Sequence, residues 1–145
     1  MSAHLAIAAA AGLAALAAVK PTARGSQSQG LSMGTNDLGW ALIDVGPVAE
    51  EYPGAPFRFR DHLALVEIET RVRGRFWEAM RLVEDFARSR GYSGVFLRAE
   101  AQSAAVDQEA LEGLYRRAGY AELPSGSVDD YDDEDVFFVK NFSQP

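Results

Sequence analysis

Between residues 62 and 118 the hydrophobic pattern alternates between the period of a strand and that of a helix. This alternation limits the fold more than any other feature of the chain. The runs “HLALVEIET” (residues 62–70) and “GVFLRAE” (residues 94–100) are apolar or alternating, as strands are. From Arg75 to the stop at Gly91, apolar residues recur at steps of three and four, as in an amphipathic helix. Strands joined through helices form parallel pairs, so the pattern predicts an α/β fold.

Further elements extend this unit on both sides. A second helix is indicated after Asp107, a candidate N-cap, by an apolar face of Leu111, Leu114, Tyr115 and Ala118. Three more strands are predicted at residues 38–45, 120–123 and 136–142. The last two are close in sequence and suggest an antiparallel hairpin. The whole set predicts a mixed sheet of about five strands with two main helices, in a domain over residues 37–145.

The N-terminal 36 residues differ in composition from this domain. Residues 4–19, “HLAIAAAAGLAALAAV”, are mostly alanine and predict a helix, which the polar stretch up to residue 36 follows as an arm. A membrane span needs about 20 strongly apolar residues, and this run of about 16, mostly alanine, is too short and too weakly apolar to favour one. No Lys or Arg precedes the run, which argues against a signal peptide and secretion. Signal peptide and membrane span stay open as alternatives, but we expect an arm that docks on other protein subunits.

The overall charge argues against some classes of partner and site. The net charge is −7, and the cluster “DDYDDED” (residues 129–135) holds six of the 21 acidic residues, so the rest of the chain is nearly balanced. A nucleic-acid-binding protein needs a basic face, so nucleic acid is not expected as the main partner. The chain has no cysteine and two histidines, and the acidic cluster lacks the spacing of a calcium loop. No metal site is predicted.

One stretch, “ETRVRGRFWEAM” (residues 69–80), has the features of an anion site. Arg71, Arg73 and Arg75 surround Gly74 at the junction of a strand and a helix. At such a junction the free N–H groups and the positive end of the helix dipole lie together, a geometry that binds phosphate or pyrophosphate. A single glycine is a weak signal, and an ordinary turn with solvated arginines explains the same residues.

These segments together resemble the GNAT superfamily of acetyl-CoA-dependent N-acetyltransferases. The resemblance covers residues 38–142 and rests on Arg73-Gly74-Arg75 after a strand, on Leu114-Tyr115 in the second helix, and on Gly119-Tyr120 after it. It implies a GNAT-like fold with acetyl-CoA as cofactor. The loop of Arg73, Gly74, Arg75 and Phe76 would hold the pyrophosphate, and the strand with Val66 and Ile68 would pair with the pantetheine.

The same resemblance implies roles for three catalytic candidates. Tyr115 would protonate the leaving thiolate, for which a phenol of pKa about 10 is suited. Glu67 or Glu69, directly or through water, would act as base for an amine nucleophile. Each residue also has a plain structural interpretation: Tyr115 lies on the apolar face of its helix, and the two glutamates alternate with apolar strand residues as solvent-facing positions do.

The chain departs from the GNAT pattern in ways that predict a degenerate, N-terminally truncated member. Phe76 and Glu78 stand where the pattern has small residues, and the strand and two helices that wall the acceptor pocket have no counterpart upstream. Two hypotheses follow. The chain is either a non-catalytic structural or interaction domain, similar to GNAT-like internal virion proteins of tailed phages, or an active acetyltransferase for a small amine. The corresponding location is a virion or the cytoplasm.

Overall fold

A computed structural model describes residues 3–7, 30–101 and 106–142, with backbone placement alone for the first of these segments. In chain order the strands are β1 (Ala3–Ile7), β2 (Gly34–Asp37), β3 (Ala41–Pro47), β4 (Leu63–Thr70), β5 (Gly94–Ala101), β6 (Ala121–Glu122) and β7 (Val136–Asn141). The helices are α1 (Val48–Glu51), α2 (Phe76–Ser89) and α3 (Gln108–Arg117), with a 3₁₀ turn at Phe57–Phe59.

The described strands form one mixed sheet in the order β2-β3-β4-β1-β5-β7-β6. β4, β1 and β5 are parallel to one another, whereas the pairs β2–β3, β3–β4, β5–β7 and β6–β7 are antiparallel. The predicted α/β class, the mixed sheet, the two main helices and the closing antiparallel hairpin are therefore confirmed. Within the described ranges the sheet has seven strands instead of about five, because residues 3–7 and 34–37 contribute β1 and β2.

The helix predicted from His4 is wrong where the structure can be compared with it. Ala3–Ile7 is a strand in the middle of the sheet, and the rest of the alanine-rich run lies outside the described residues. Gly34–Asp37, of which the first three residues were expected in the polar arm, pairs with β3. The physical reason is that helix propensity amounts to less than about 1 kcal/mol per residue. Pairing with two strands at once outweighs it.

Both long helices pack on one face of the sheet. α2 places Phe76, Met80, Val83 and Ala87 in the core, as their spacing predicts. α3 begins at the predicted N-cap, where the Asp107 carboxylate accepts a hydrogen bond from Ala110 N at 3.0 Å. The opposite face is covered by α1, the 3₁₀ turn and the loop before β7, around an aromatic group that includes Tyr52, Phe59, Phe96 and Phe137. The sheet thus lies between two hydrophobic layers.

His62 gives this core a pH dependence. Its side chain is buried, its Nε2 lies 2.6 Å from the Oδ1 of Asn141, and its Nδ1 has no hydrogen-bond partner in the described part of the chain. Burial lowers the pKa of His62, because the charged ring loses its hydration. The unfolded chain, with a histidine pKa of about 6.5, then binds the proton more readily than the folded chain does.

We therefore expect stability to fall as the pH drops below about 6.5 towards the folded pKa of His62, and to be insensitive to this group above it. Urea unfolding at pH 7.5 and at pH 5.5 measures the loss. A His62→Gln variant keeps a donor for Asn141 but does not titrate, so it should show a clearly smaller loss. Equal losses in the two proteins would contradict a buried neutral His62.

Candidate functional site

The parallel strands β4 and β5 pair directly at their N-terminal ends and then separate. Leu63, Ala64 and Leu65 are in register with Val95, Phe96 and Leu97, and beyond these residues β1 lies between the two strands. We call the gap between residues 68–70 of β4 and residues 99–101 of β5 the wedge. In the structure the wedge is filled: Leu5 is in register with Ile68 on one side and with Ala101 on the other.

A β-bulge marks the point at which the wedge opens. Val45 of β3 lies opposite Leu65, but the preceding Asp44 lies opposite Glu67, so Val66 is an extra residue on β4. The extra residue reverses the alternation of side chains. Leu63, Leu65 and Ile68 consequently belong to the core under α2, whereas Val66 packs with the opposite layer. The predicted pantetheine strand is therefore where the two strands separate, but its edge at Ile68 is occupied by β1.

The predicted pyrophosphate loop, residues 73–76, comes shortly after the end of β4 that lines the wedge. Gly74 has a φ of +79°, which glycine adopts without strain, and α2 begins two residues later. The first helical N–H with an acceptor among the described residues is that of Ala79, which donates to Arg75 O at 3.0 Å. The earlier N–H groups of α2 have no acceptor within residues 30–101 and 106–142, as is normal for a helix start. The backbone of an anion site is thus in place.

Two of the three arginines of this loop are already paired with carboxylates. Arg71 donates to Asp37 at 2.7 Å and lies 3.5 Å from Glu69. Arg75 donates to both oxygens of Glu78 at 2.7 Å. The hydrogen bond from Arg71 lowers the pKa of Asp37, and that from Arg75 lowers the pKa of Glu78. Three carboxylates therefore offset the charge of the three arginines.

Trp40 holds Arg75 in place. The guanidinium of Arg75 lies 3.7 Å from the centroid of the Trp40 ring, and the Trp40 carbonyl accepts the backbone N–H of Arg71 at 2.7 Å. Arg73 is exposed, and no partner for it is seen within the described ranges. Neither Trp40 nor Asp37 was identified from the sequence as a site residue. Asp37 comes directly after the stretch interpreted as an arm, and the β2–β3 hairpin brings it to Arg71.

The aromatic candidates lie in the core. Phe76 is 7% exposed, and its ring centroid is 5.6 Å from that of Tyr115. Tyr115 is 0% exposed and also packs against Tyr120 and Phe138. Its hydroxyl has no hydrogen-bond partner in the described part, and burial raises the pKa of Tyr115 well above its ordinary value. Proton donation to a thiolate would require Tyr115 to move.

Replacing Tyr115 by phenylalanine tests this placement. A buried hydroxyl without a partner costs about 1–3 kcal/mol of desolvation, so Tyr115→Phe should leave the free energy of unfolding unchanged or raise it slightly. Tyr120→Phe is the matched control. The Tyr120 hydroxyl donates to buried Glu84 at 2.9 Å, and its removal should cost about 1 kcal/mol or more. Chemical denaturation measures both values, and a marked loss in Tyr115→Phe would contradict an unpartnered hydroxyl.

The two candidate bases lie on the sheet face opposite the long helices. Glu67 and Glu69 are half-buried, and in register with them on β3 are Asp44 and Leu42. The bulge at Val66 places both glutamates on this face, next to the wedge. Tyr115 packs under the other face, in the core with Phe76. The structure therefore does not bring the predicted acid and the predicted bases together.

The acidic cluster (residues 129–135) contacts β5 and the loop around Gly54. Asp135 accepts a hydrogen bond from Arg98 of β5 at 2.6 Å, and Arg98 is 3.3 Å from Glu100 and stacks over Tyr131. Asp129 N donates to Gly54 O at 2.9 Å. Arg98 and Glu100 are two residues apart in β5 and therefore lie on one face of the sheet, which is the sequence signal for the contacts of Arg98. Within the described ranges no group of three or more acidic or histidine side chains could hold a metal ion.

Two further findings concern the chain as a whole. None of the helices in the described ranges has the length and apolar character that crossing a membrane requires. No protein-family model, no curated protein and no solved structure matches the chain.

Proposed function

We propose that this chain is a GNAT-like domain that does not catalyse acetyl transfer and serves as a structural and interaction part of a larger protein assembly, such as a phage particle. The observation that carries the proposal is the filled wedge. In the GNAT arrangement implied by the resemblance, the pantetheine of the cofactor pairs with the open edge of the strand around Val66 and Ile68. Here Ile68 is in register with Leu5 of the chain itself. The same backbone groups cannot serve both partners.

The surroundings of the wedge support the same conclusion. The carboxylates of Asp37, Glu69 and Glu78 offset the arginines that would attract pyrophosphate. Tyr115 is sealed in the core, away from the face that carries Glu67. Pairing of the cofactor with Ile68 and proton donation by Tyr115 would each need a rearrangement. An interaction role needs none of them.

A thermal-shift titration with acetyl-CoA tests the proposal. A ligand at 100 times its dissociation constant stabilises the native state by about 2.7 kcal/mol. We expect no stabilisation of the full chain at millimolar acetyl-CoA beyond that given by pyrophosphate at equal ionic strength. The parallel titration with pyrophosphate corrects for simple anion binding near Arg73. Stabilisation specific to acetyl-CoA would contradict the proposal.

The alternative function is acetyl transfer from acetyl-CoA to a small amine, with Glu67 or Glu69 as base. The observation that favours it is the start of α2, where Gly74 has a positive φ and the first N–H groups have no acceptor in the described ranges. Release of coenzyme A in the presence of a panel of amines tests this function with a thiol reagent. Because the chain has no cysteine, the protein itself gives no background. Amine-dependent thiol release would establish the enzyme.

A further inference from the structure

We infer that the wedge is an interaction surface for the N-terminal strand of a second copy of this chain, so that copies join by exchanging β1. The inference rests on the proposed function, because it names the partner through which the domain would assemble. In a single copy the wedge is filled by the chain's own β1. The contacts that hold β1 there are equally available to the same segment of a neighbour.

The wedge requires an occupant. Beyond Leu65 and Leu97 the strands β4 and β5 no longer pair with each other, and residues 68–70 and 99–101 face β1 instead. Without a strand between them, N–H and C=O groups inside a sheet would lack partners, at a cost of about 1–3 kcal/mol for each buried group. An inserted strand satisfies both edges at once through its main chain.

The receiving half of the wedge does not depend on which chain supplies the strand. β4 and β5 are held together at their N-terminal ends by their own pairing, and β3 and β7 pair with their outer edges. These contacts involve residues after position 40 alone. The gap therefore keeps its shape and its register whether β1 comes from the same chain or from another.

The length of the connection permits exchange. From the end of β1 at Ile7 to the start of β2 at Gly34 there are 26 intervening residues. A chain of that length can span up to about 85 Å, more than the diameter of a small domain. The entropic cost of closing such a loop grows only slowly with its length. The chain's own β1 competes at an effective concentration in the millimolar range, so exchange becomes more favourable as the protein concentration rises. Exchange of an identical element is a low-cost route to symmetric dimers.

Disulfide trapping between single-cysteine variants tests the exchange in the full chain. Ala6 is in register with Glu69, and neighbouring strands lie about 4.8 Å apart, within the Cα–Cα range that a disulfide spans. The natural chain has no cysteine, so every disulfide comes from the introduced residues. Ala6→Cys chains and Glu69→Cys chains are mixed in urea, refolded together and oxidised.

The expected result is a covalent dimer containing one chain of each kind, in a yield that rises with protein concentration. The control pairs Ala6→Cys with Glu50→Cys. Glu50 is exposed on α1, which follows Pro47, and Pro47 lies opposite Leu63 at the end of β4 away from the wedge. This control should give no such dimer.

A double variant, Ala6→Cys with Glu69→Cys in one chain, completes the test. A disulfide within one chain at every concentration, together with no mixed dimer, would overturn the exchange while leaving the non-catalytic role intact. No disulfide of either kind would contradict the placement of β1 and overturn the inference as well. Acetyl-CoA binding, by contrast, would count against the proposed function and is read from a separate titration.

Discussion

Replacing Leu5 by proline is expected to destabilise the protein by about 3 kcal/mol. Leu5 has a strand on each side, with Ile68 and Ala101 in register, so its N–H points at a neighbouring strand. Proline removes that donor, leaves an acceptor inside the sheet unpaired and is not tolerated in central strands. A substitution at the second residue of the alanine-rich run would therefore act as a core mutation.

Urea unfolding of the full chain measures the effect, with Leu5→Val as the matched control. Valine keeps the N–H and has a higher strand propensity than leucine, so this variant should stay within about 1 kcal/mol of the natural protein. If proline and valine had equally small effects, β1 would not hold the sheet together. The central position of the N-terminal segment would then be incorrect.

Gly94→Ala is expected to have an effect of similar size, about 3 kcal/mol, at the other end of the parallel strands. A Cβ at Gly94 would meet the carbonyl oxygen of Lys140 on β7 and would lie 2.7 Å from the His62 ring. The carbonyl belongs to the β5–β7 ladder, where Gly94 is opposite Asn141, so it cannot move aside without breaking the pairing. The His62 ring is held by Asn141 and cannot turn away at low cost.

Gly113→Ala in α3 is the matched control, with the opposite expected sign. A Cβ there meets only the Arg117 guanidinium, at 3.8 Å. Because alanine is preferred over glycine inside a helix, this variant should be more stable by about 0.5–1 kcal/mol. Thermal and urea unfolding compare the two substitutions under identical conditions. A Gly94→Ala protein as stable as the natural one would contradict the close approach of β5, β7 and His62.

Much of the fold was predictable because the relevant signals are local. The apolar stripe of α2, the Asp107 cap of α3 and the strand β4 follow from spacing alone. The strand β1 was not predictable in this way. Its five residues adjoin an alanine run whose intrinsic preference is helical, and their conformation is decided by a gap between β4 and β5 more than 60 residues away in sequence.

The candidate site was predictable in part for the same reason. The position of Gly74 between a strand and a helix followed from the pattern, whereas the bulge at Val66 was not predicted. The pairing of Arg71 with Asp37, the stacking of Arg75 on Trp40 and the burial of the Tyr115 hydroxyl depend on tertiary contacts. Such contacts carry no local signal.

The central claim is that a β1 strand fills the wedge and leaves no open edge for a cofactor. Hydrogen exchange of the amides that line the wedge tests this claim most directly. In strands the amides point alternately to either side, so about half of those in residues 68–70 and 99–101 face β1. The expected result for the full chain is strong protection of these amides, unchanged by millimolar coenzyme A. Rapid exchange without ligand, followed by protection when coenzyme A is added, would contradict it and identify the wedge as an open cofactor site.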